Sequence, residues 1–434
     1  MNRLSQAKIR FSSLTYETFA FWAYVLGVAM TAFGPIIHYI SWFLVLVSLI
    51  YGKIRYGAPL SVKLQPESKK IVFSLVLFLL WSMFASAMYF ESFYLWGKGV
   101  STPLEFMIGL YLAMRLIDTL EKRKIFGLAI VVVNLIFCFD VMFRPNFYIL
   151  GWNSSLDNGN AVSLYSLLMM PFFFSFAFWF FEKNIFLKYL LPVSSLMLIV
   201  FSFSSGGWIT AFFQIVIFIC YSTAMKKISI KRFFVFLAIF LIFCTASPHF
   251  LGKEYQALFK EEFDQITAIN DSQAFTSYRI YTWKAGIILA GDHLITGNGW
   301  GMFESDFIKN FQYLKKKIKY DGNQYFSHPH NMYIAILYAG GLPALFFFMA
   351  ALVLSIVKSW RGLRIRYLKE IVPWHFICFV LMVSMAVYGT NSDVFEARRD
   401  LAVFFWTSWG VLLMLPEKYL QKAEGNQNEN PALC

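Results

Sequence analysis

The stretch NMYIAILYAGGLPALFFFMAALVLSIV, Asn331–Val357, decides the fold class, because no charged side chain occurs anywhere in it. A helix of about 20 apolar residues spans the hydrocarbon core of a bilayer. The whole chain has the same character, since 58% of its 434 residues are hydrophobic and 15% are charged. A water-soluble protein cannot bury so much apolar side chain, so the sequence predicts an all-α polytopic membrane helix bundle.

Similar apolar runs recur along the whole chain. We predict about twelve transmembrane helices, near residues 17–33, 35–51, 71–89, 101–117, 125–143, 161–181, 187–203, 207–225, 233–248, 331–357, 371–389 and 400–416. An even number of spans places both termini on the same side of the membrane. The side follows from the distribution of basic residues between the loops.

The two sets of alternating loops differ sharply in positive charge. One set, which includes both termini, holds 25 of the 38 Lys and Arg residues, whereas the short loops of the other set hold 4. The remaining 9 lie in one long loop, 249–330, and long loops translocate regardless of charge. We therefore predict cytoplasmic termini and an outer long loop. The net charge of +13 then reflects topology, and no nucleic-acid partner is expected.

This topology divides the chain into four parts. They are helices 1–9 in residues 1–248, the long loop 249–330, helices 10–12 in residues 331–416, and a cytoplasmic tail, 417–434. Within the loop, KEYQALFKEEFDQITAI, SYRIYTWKAGIILAG and FESDFIKNFQYLKKKIKY favour helices with one apolar face. Such helices lie on the bilayer or cap the bundle. The lysines of KKKIK, 315–319, form either a solvated basic face or a site for anionic headgroups or acidic glycans.

The segment HPHN, His328–Asn331, joins the long loop to the tenth predicted helix. Pro329 suits the first turn of a helix, so His330 and Asn331 are expected at its start, near the outer interface. A neutral imidazole can accept a proton at ambient pH, which makes a catalytic pair one interpretation. Two interfacial, helix-capping histidines are the alternative. A metal site would need a third ligand, and the candidates His293, Glu304 and Asp306 lack a recognisable spacing, so no metal is predicted.

Other polar residues fall in predicted outer segments. Arg279 and Trp283 share one helix face, and an arginine fork there suits a pyrophosphate or carboxylate, with a solvated surface arginine as the alternative. Asn160 can bind a sugar hydroxyl or form a turn. The last outer loop, TNSDVFEARRD, includes Arg398 and Arg399, and simple solvation explains its charges most easily. GNGWG, 297–301, lacks the strand context of a dinucleotide-binding loop and is interpreted as a turn.

These features together resemble the O-antigen ligase/polymerase family of bacterial membrane proteins. The layout is similar, as are HPHN and SYRIYTWKAGIILAGDHLITGNGWGMF. The family pattern in that stretch corresponds to Arg279, Trp283, Asp292–His293 and the glycines 297, 299 and 301, followed downstream by His330, Asn331 and Gly340. One departure is clear. Many members have Ser-Arg-Gly between helices seven and eight, where this chain has Gly206 in place of the arginine. Arg144, Arg398 and Arg399 are the candidate substitutes.

The resemblance implies a metal-independent glycosyltransferase without cofactors, acting at the periplasmic face of the bacterial inner membrane. The donor would be a glycan on undecaprenyl pyrophosphate, and the acceptor lipid A–core for a ligase or another lipid-linked repeat for a polymerase. The implied base is His330, with His328 as the alternate, and Arg279 would hold the pyrophosphate. Further substrate contacts are expected from Asn331, Trp283, Asn160, Arg398 and Arg399.

Ligation is preferred over polymerisation. A twelve-span secondary transporter is the rival from another class of protein. It is disfavoured because the predicted spans are almost free of charge and the two halves of the chain are not similar.

Overall fold

The computed structural model describes residues 3–31, 34–89, 91–143, 159–202, 204–225, 253–267, 279–364 and 370–415, together with the single positions 231, 234 and 238. The described residues contain no β-strand. Their helices are α1 (Arg3–Ala29), α2 (Pro35–Tyr56), α3 (Pro66–Met88), α4 (Phe93–Leu116), α5 (Leu120–Phe143), α6 (Gly159–Ser175, continued by a π-helical turn Phe176–Phe180), α7 (Ile185–Val200), α8 (Ser205–Ala224), α9 (Lys253–Thr267), α10 (Arg279–Gly291), α11 (Phe303–Lys309), α12 (Phe311–Ile318), α13 (Met332–Leu363), α14 (Val372–Tyr388) and α15 (Arg399–Leu413).

The all-α prediction is confirmed, and helices coincide with eleven of the predicted spans in the described part of the chain. The ninth span, 233–248, lies outside the described residues apart from positions 234 and 238. Five described helices are long and apolar enough to cross a membrane, and they are Ile36–Tyr56, Pro66–Met88, Asn160–Phe180, Ser205–Ala224 and Met332–Leu363. The chain is therefore a multi-pass membrane protein, and the number of twelve crossings stays a prediction.

Two helices extend beyond the predicted apolar runs, into stretches where glycine and basic residues interrupt the hydropathy. Helix α4 was predicted to start at residue 101 but begins at Phe93, where the Ser92 side chain accepts a hydrogen bond from the Leu95 N–H. Helix α2 was predicted to end at residue 51 but continues to Tyr56, where Gly57 ends it in the left-handed conformation. Hydropathy marks the part of a helix that contacts lipid, so it misses these capped extensions.

Helix α13, the stretch that decides the fold class, is kinked in its N-terminal third. Pro343 lies inside it, and Gly341 has non-helical backbone angles with a φ of 67°. A proline removes one helical N–H and a glycine allows the positive φ, so the preceding carbonyl groups lose their usual partners. In a membrane protein those groups need other donors.

The segment that contains GNGWG supplies them. The backbone N–H groups of Asn298 and Gly299 donate to the carbonyl oxygens of Tyr338 and Ala339, both at 2.8 Å. In return, the Leu342 N–H donates to the Leu294 carbonyl oxygen at 2.8 Å. The interpretation of GNGWG as a turn agrees with this geometry, and we call the segment 294–301 the kink brace.

Candidate functional site

The two histidines of HPHN lie on a turn that helix α10 holds from one side. Thr282, on α10, donates its hydroxyl hydrogen to the Pro329 carbonyl oxygen at 2.8 Å. The Trp283 ring N–H donates to the His330 carbonyl oxygen at 3.3 Å. His330 has a φ of 53°, a left-handed conformation that few residues other than glycine adopt. This strained backbone is thus fixed by contacts on both sides of the residue.

Asn331 joins the same turn to helix α13 and to the segment after α14. Its side-chain oxygen accepts hydrogen bonds from the N–H groups of Tyr333 and Ile334 at 3.0 and 3.1 Å, so Asn331 is the N-cap of α13. The expectation that Pro329 lies in the first turn of this helix is wrong, because the helix begins three residues later, at Met332. The side-chain amide of Asn331 donates to the Thr390 carbonyl oxygen at 2.8 Å. The asparagine therefore has a positioning role for the turn.

The two imidazole rings contact each other, with centroids 4.0 Å apart and planes inclined by 51°. Burial lowers the pKa of His328 to about 4, and the charges of Arg398, Arg279 and Lys98 act in the same direction. Burial also lowers the pKa of His330 to about 3, reinforced by His328 and the two arginines. Both rings are therefore neutral at neutral pH, which leaves a nitrogen lone pair that can accept a proton.

Two arginines place positive charge near the histidine pair. Arg279 begins helix α10, and its guanidinium donates to the Asn391 carbonyl oxygen at 2.7 Å. Arg398, immediately before α15, lies close enough for its charge to lower the pKa of both histidines. Arg399 is directed elsewhere, because it forms an ion pair with Glu105 at 3.1 Å and a hydrogen bond with the Thr102 hydroxyl, also at 3.1 Å. The neighbouring arginines thus have different environments.

Asn160 and Gly206 approach the site through the segment that follows α14. Asn160 is exposed, its side-chain oxygen accepts from the Ser204 hydroxyl at 2.9 Å, and its carbonyl oxygen accepts from the Tyr388 hydroxyl at 3.1 Å. A side chain added at Gly206 would bring its Cβ to 2.6 Å from the Asn391 amide nitrogen. Asn391 therefore occupies the space beside Gly206 while its carbonyl group holds Arg279. Arg144 lies outside the described residues.

Sequence reasoning missed the burial of Asp393, in the loop that also contains Glu396 and Arg398. Asp393 is fully buried, and one of its carboxyl oxygens accepts from the N–H groups of Phe395 and Glu396, both at 3.1 Å. Burial raises the pKa of both Asp393 and Glu396, and the charge of Asp393 raises the pKa of Glu396 further. The backbone N–H groups that Asp393 accepts from lower its pKa, and the positive charge of Lys98 lowers the pKa of both carboxyl groups. The expectation that solvation explains the charges of this loop is thus wrong for Asp393. The signal was the apolar pair Val394–Phe395, which anchors the loop inside the bundle.

The residues considered as third metal ligands have other partners. His293 and the Tyr89 hydroxyl share a hydrogen bond of 2.7 Å, and Asp306 accepts from the Tyr338 hydroxyl at 2.5 Å. Within the described ranges, no group of three His, Cys, Asp or Glu side chains is arranged to hold a metal ion. The site that the structure does bring together consists of His328, His330, Arg279 and Arg398, with Trp283 and Asn331 as supports.

This combination defines a class: a multi-pass membrane protein whose helix bundle carries a paired-imidazole site within a positively charged surround. A family model described as O-antigen ligase matches residues 190–349, which include Arg279, Trp283 and both histidines. The chain therefore carries this family's domain over that segment, and the resemblance recognised from the sequence is confirmed. No curated protein matches the chain.

Proposed function

We propose that the protein transfers a glycan from undecaprenyl pyrophosphate to an acceptor hydroxyl at the periplasmic face of the bacterial inner membrane, and that the reaction is O-antigen ligation to lipid A–core. The observation that carries the proposal is the neutral His328–His330 pair, with rings 4.0 Å apart, close enough to Arg279 and Arg398 for both charges to lower the histidine pKa values. Glycan transfer needs a base for the attacking hydroxyl and positive charge for the leaving pyrophosphate, and this arrangement supplies both.

The proposed step balances with the residues of the chain alone. An imidazole nitrogen of His330 takes the proton of the acceptor hydroxyl as its oxygen attacks the anomeric carbon. The bond between that carbon and the phosphate oxygen breaks, and the lipid pyrophosphate leaves with the electron pair. Arg279 and Arg398 stabilise the developing negative charge, and an arginine fork suits this because it donates two hydrogen bonds to one phosphate.

The electrostatics of the site link the base to the donor. His330 by itself is a weak base, because burial and the nearby positive charges lower its pKa to about 3. A bound pyrophosphate brings negative charge beside the same arginines, and a nearby negative charge favours the protonated imidazole. The donor therefore raises the basicity of the residue that activates the acceptor. The imidazole of His330 therefore becomes an effective proton acceptor only when the donor is bound.

The remaining predicted residues support substrate or geometry in this proposal. Trp283 and Asn331 hold the backbone on either side of the base. Asn160 offers an exposed amide for a sugar hydroxyl. Arg398 is preferred over Arg399 as the second phosphate contact, since Arg399 is engaged with Glu105.

The pattern of lipopolysaccharide bands in a deletion strain tests the reaction class. Loss of a ligase leaves full-length polymer on the lipid carrier without attachment to core, whereas loss of a polymerase leaves single repeats on core. Complementation with the parent chain should restore the bands, and R279K should not, because lysine lacks the two-pronged fork. Unchanged bands in the deletion strain would contradict both glycan reactions and favour the transporter alternative.

A further inference from the structure

A further feature is an array of lysines in the last turn of helix α12 and at its C-cap, Lys319. Lys316, Lys317 and Lys319 are exposed, and the described part of the chain places no acidic partner against them. The adjoining residues to 325 contain a single acidic side chain, Asp321, so the array keeps a clear positive excess. Lys315, by contrast, donates to the Asn323 side-chain oxygen at 2.8 Å. We call Lys316, Lys317 and Lys319 the lysine array.

The opposite face of α12 is packed into the protein. Phe311, Leu314 and Ile318 are at most 7% exposed. Phe311 contacts Phe307 of α11 with ring centroids 5.9 Å apart. An amphipathic helix that lies on a bilayer directs its apolar face to the lipid. Here the apolar face is already covered by protein, so the lysine array points away from that core and is available to a water-borne partner.

An exposed aromatic ring accompanies the lysines. Tyr313 is 56% exposed, and it lies three and four residues before Lys316 and Lys317, which places the three side chains on one helix face. A flat ring with a polar tip beside positive charges is suited to a sugar that carries an acidic group. The combination favours a charged saccharide over a neutral one.

The array is also connected to the histidine turn by a continuous aromatic contact path. Phe307 contacts Phe326 with centroids 5.4 Å apart, and Tyr320 contacts Phe326 at 5.5 Å. Phe326 lies two residues before His328. A glycan held on α12 is therefore bound to the same packed unit that holds the reactive residues.

We propose that Lys316, Lys317 and Lys319, with Tyr313, form a binding surface for an acidic saccharide portion of the glycan substrates. This inference rests on the proposed function for its choice of partner and concerns binding alone. Because these side chains are exposed and lie outside the histidine site, their replacement should leave the chemical step intact.

The test measures binding by the full-length protein in nanodiscs of phosphatidylcholine, with an oligogalacturonate as the probe and a neutral maltooligosaccharide of equal length as its control. The variant K316Q/K317Q/K319Q should bind the acidic probe about tenfold more weakly, and the parent's affinity should fall as salt is added. The matched variant K253Q/K260Q/K284Q removes three exposed lysines from α9 and α10 and should bind like the parent.

Equal binding of the acidic probe by the parent and K316Q/K317Q/K319Q would overturn the proposal. The proposal would also be overturned if K316Q/K317Q/K319Q lost only binding to phosphatidylglycerol vesicles and kept its binding of the acidic probe. That result would assign the array to the membrane surface. The variant H330N separates the two proposals. H330N should bind the acidic probe like the parent, because the binding surface does not include His330. If the parent itself shows no glycan transfer, the proposed function fails, and this binding result still supports the surface.

Discussion

At the residue scale, His330 combines an unusual backbone with a partly buried imidazole. Its φ of 53° would strain most side chains, but asparagine tolerates the left-handed region about as well as histidine. The variant H330N therefore removes the base without adding backbone strain, whereas H330A removes the base and also adds backbone strain. This gives a cleaner test of the chemical role than alanine does.

Trp283 is predicted to act through His330 rather than on substrate. W283F removes the N–H that donates to the His330 carbonyl oxygen but keeps the aromatic packing. We expect the transfer rate to fall about tenfold with little change in the concentration of donor needed, since geometry at the base is altered and phosphate binding is not. Steady-state kinetics with donor titration measures this split. An effect on donor affinity alone would contradict the positioning role.

The pH dependence of transfer should differ between free and donor-bound protein. Histidines whose pKa lies near 3 and 4 are neutral above that range and lose base function as pH falls through it. We expect the acid limb of kcat/KM for the donor at about that pH. The acid limb of kcat should lie higher, because the bound pyrophosphate raises the imidazole pKa. Coincident limbs would argue against the coupling between donor and base.

At the element scale, the kink of α13 and the kink brace depend on each other. Gly297 has a φ of 74°, and a Cβ at this position would collide with the backbone of Ala339. The brace therefore requires a residue without a side chain at its closest approach to the helix. The same contacts fix the N-terminal part of α13, which follows the N-cap Asn331 beside the histidines.

The variant G297A should destabilise the protein, by about 2 kcal/mol or more, because positive φ and backbone collision both act against alanine. Thermal unfolding in detergent measures the effect as a lower midpoint. G291A is the matched control, since Gly291 ends helix α10 and a Cβ there meets no atom within 4 Å. Equal midpoints of thermal unfolding for G297A and G291A would show that the kink brace does not stabilise the fold.

At the scale of the whole molecule, a band of aromatic rings fills the centre of the bundle. Trp406 contacts Phe106 and Trp409 with centroids 5.1 and 5.2 Å apart, and Phe348 contacts Phe395 at 5.5 Å. At the end remote from the histidines, buried Arg123 donates to the Met414 carbonyl oxygen at 2.8 Å, which places a cation at the C-terminus of α15. The charge of Arg123 thus has a partner at a helix end.

The predicted topology can be checked by thiol labelling in intact cells. A cysteine introduced at Lys284 should react with a membrane-impermeant reagent from outside, and one introduced at Lys122 should react only after the membrane is opened. Both lysines are at least partly exposed, so access to the reagent is set by the membrane. Labelling of Lys122→Cys in intact cells would show that the predicted orientation is wrong. The histidine pair would then not lie at the periplasmic face.

The sequence predicted the helices well where long apolar runs mark them, as in α3, α8 and α13. It also predicted Asn331 near the start of α13, but it wrongly predicted Pro329 in the first turn, because α13 begins only at Met332. It missed the burial of Asp393 and the partnership of Gly206 with Asn391, because these depend on contacts between segments far apart in the chain. Arg398 and Arg399 were equivalent in sequence, and only packing against Glu105 distinguishes them.

The central claim is that His330 is the base of a glycan transfer. The most direct measurement is the rate of transfer by purified protein in nanodiscs, from a saccharide on undecaprenyl pyrophosphate to lipid A–core, compared between the parent, H330N and H328N. Loss of a general base costs about 10²-fold or more in rate. We expect H330N to lose transfer by that factor while retaining donor binding, with a smaller loss in H328N. Transfer by H330N at the parent's rate would contradict the account.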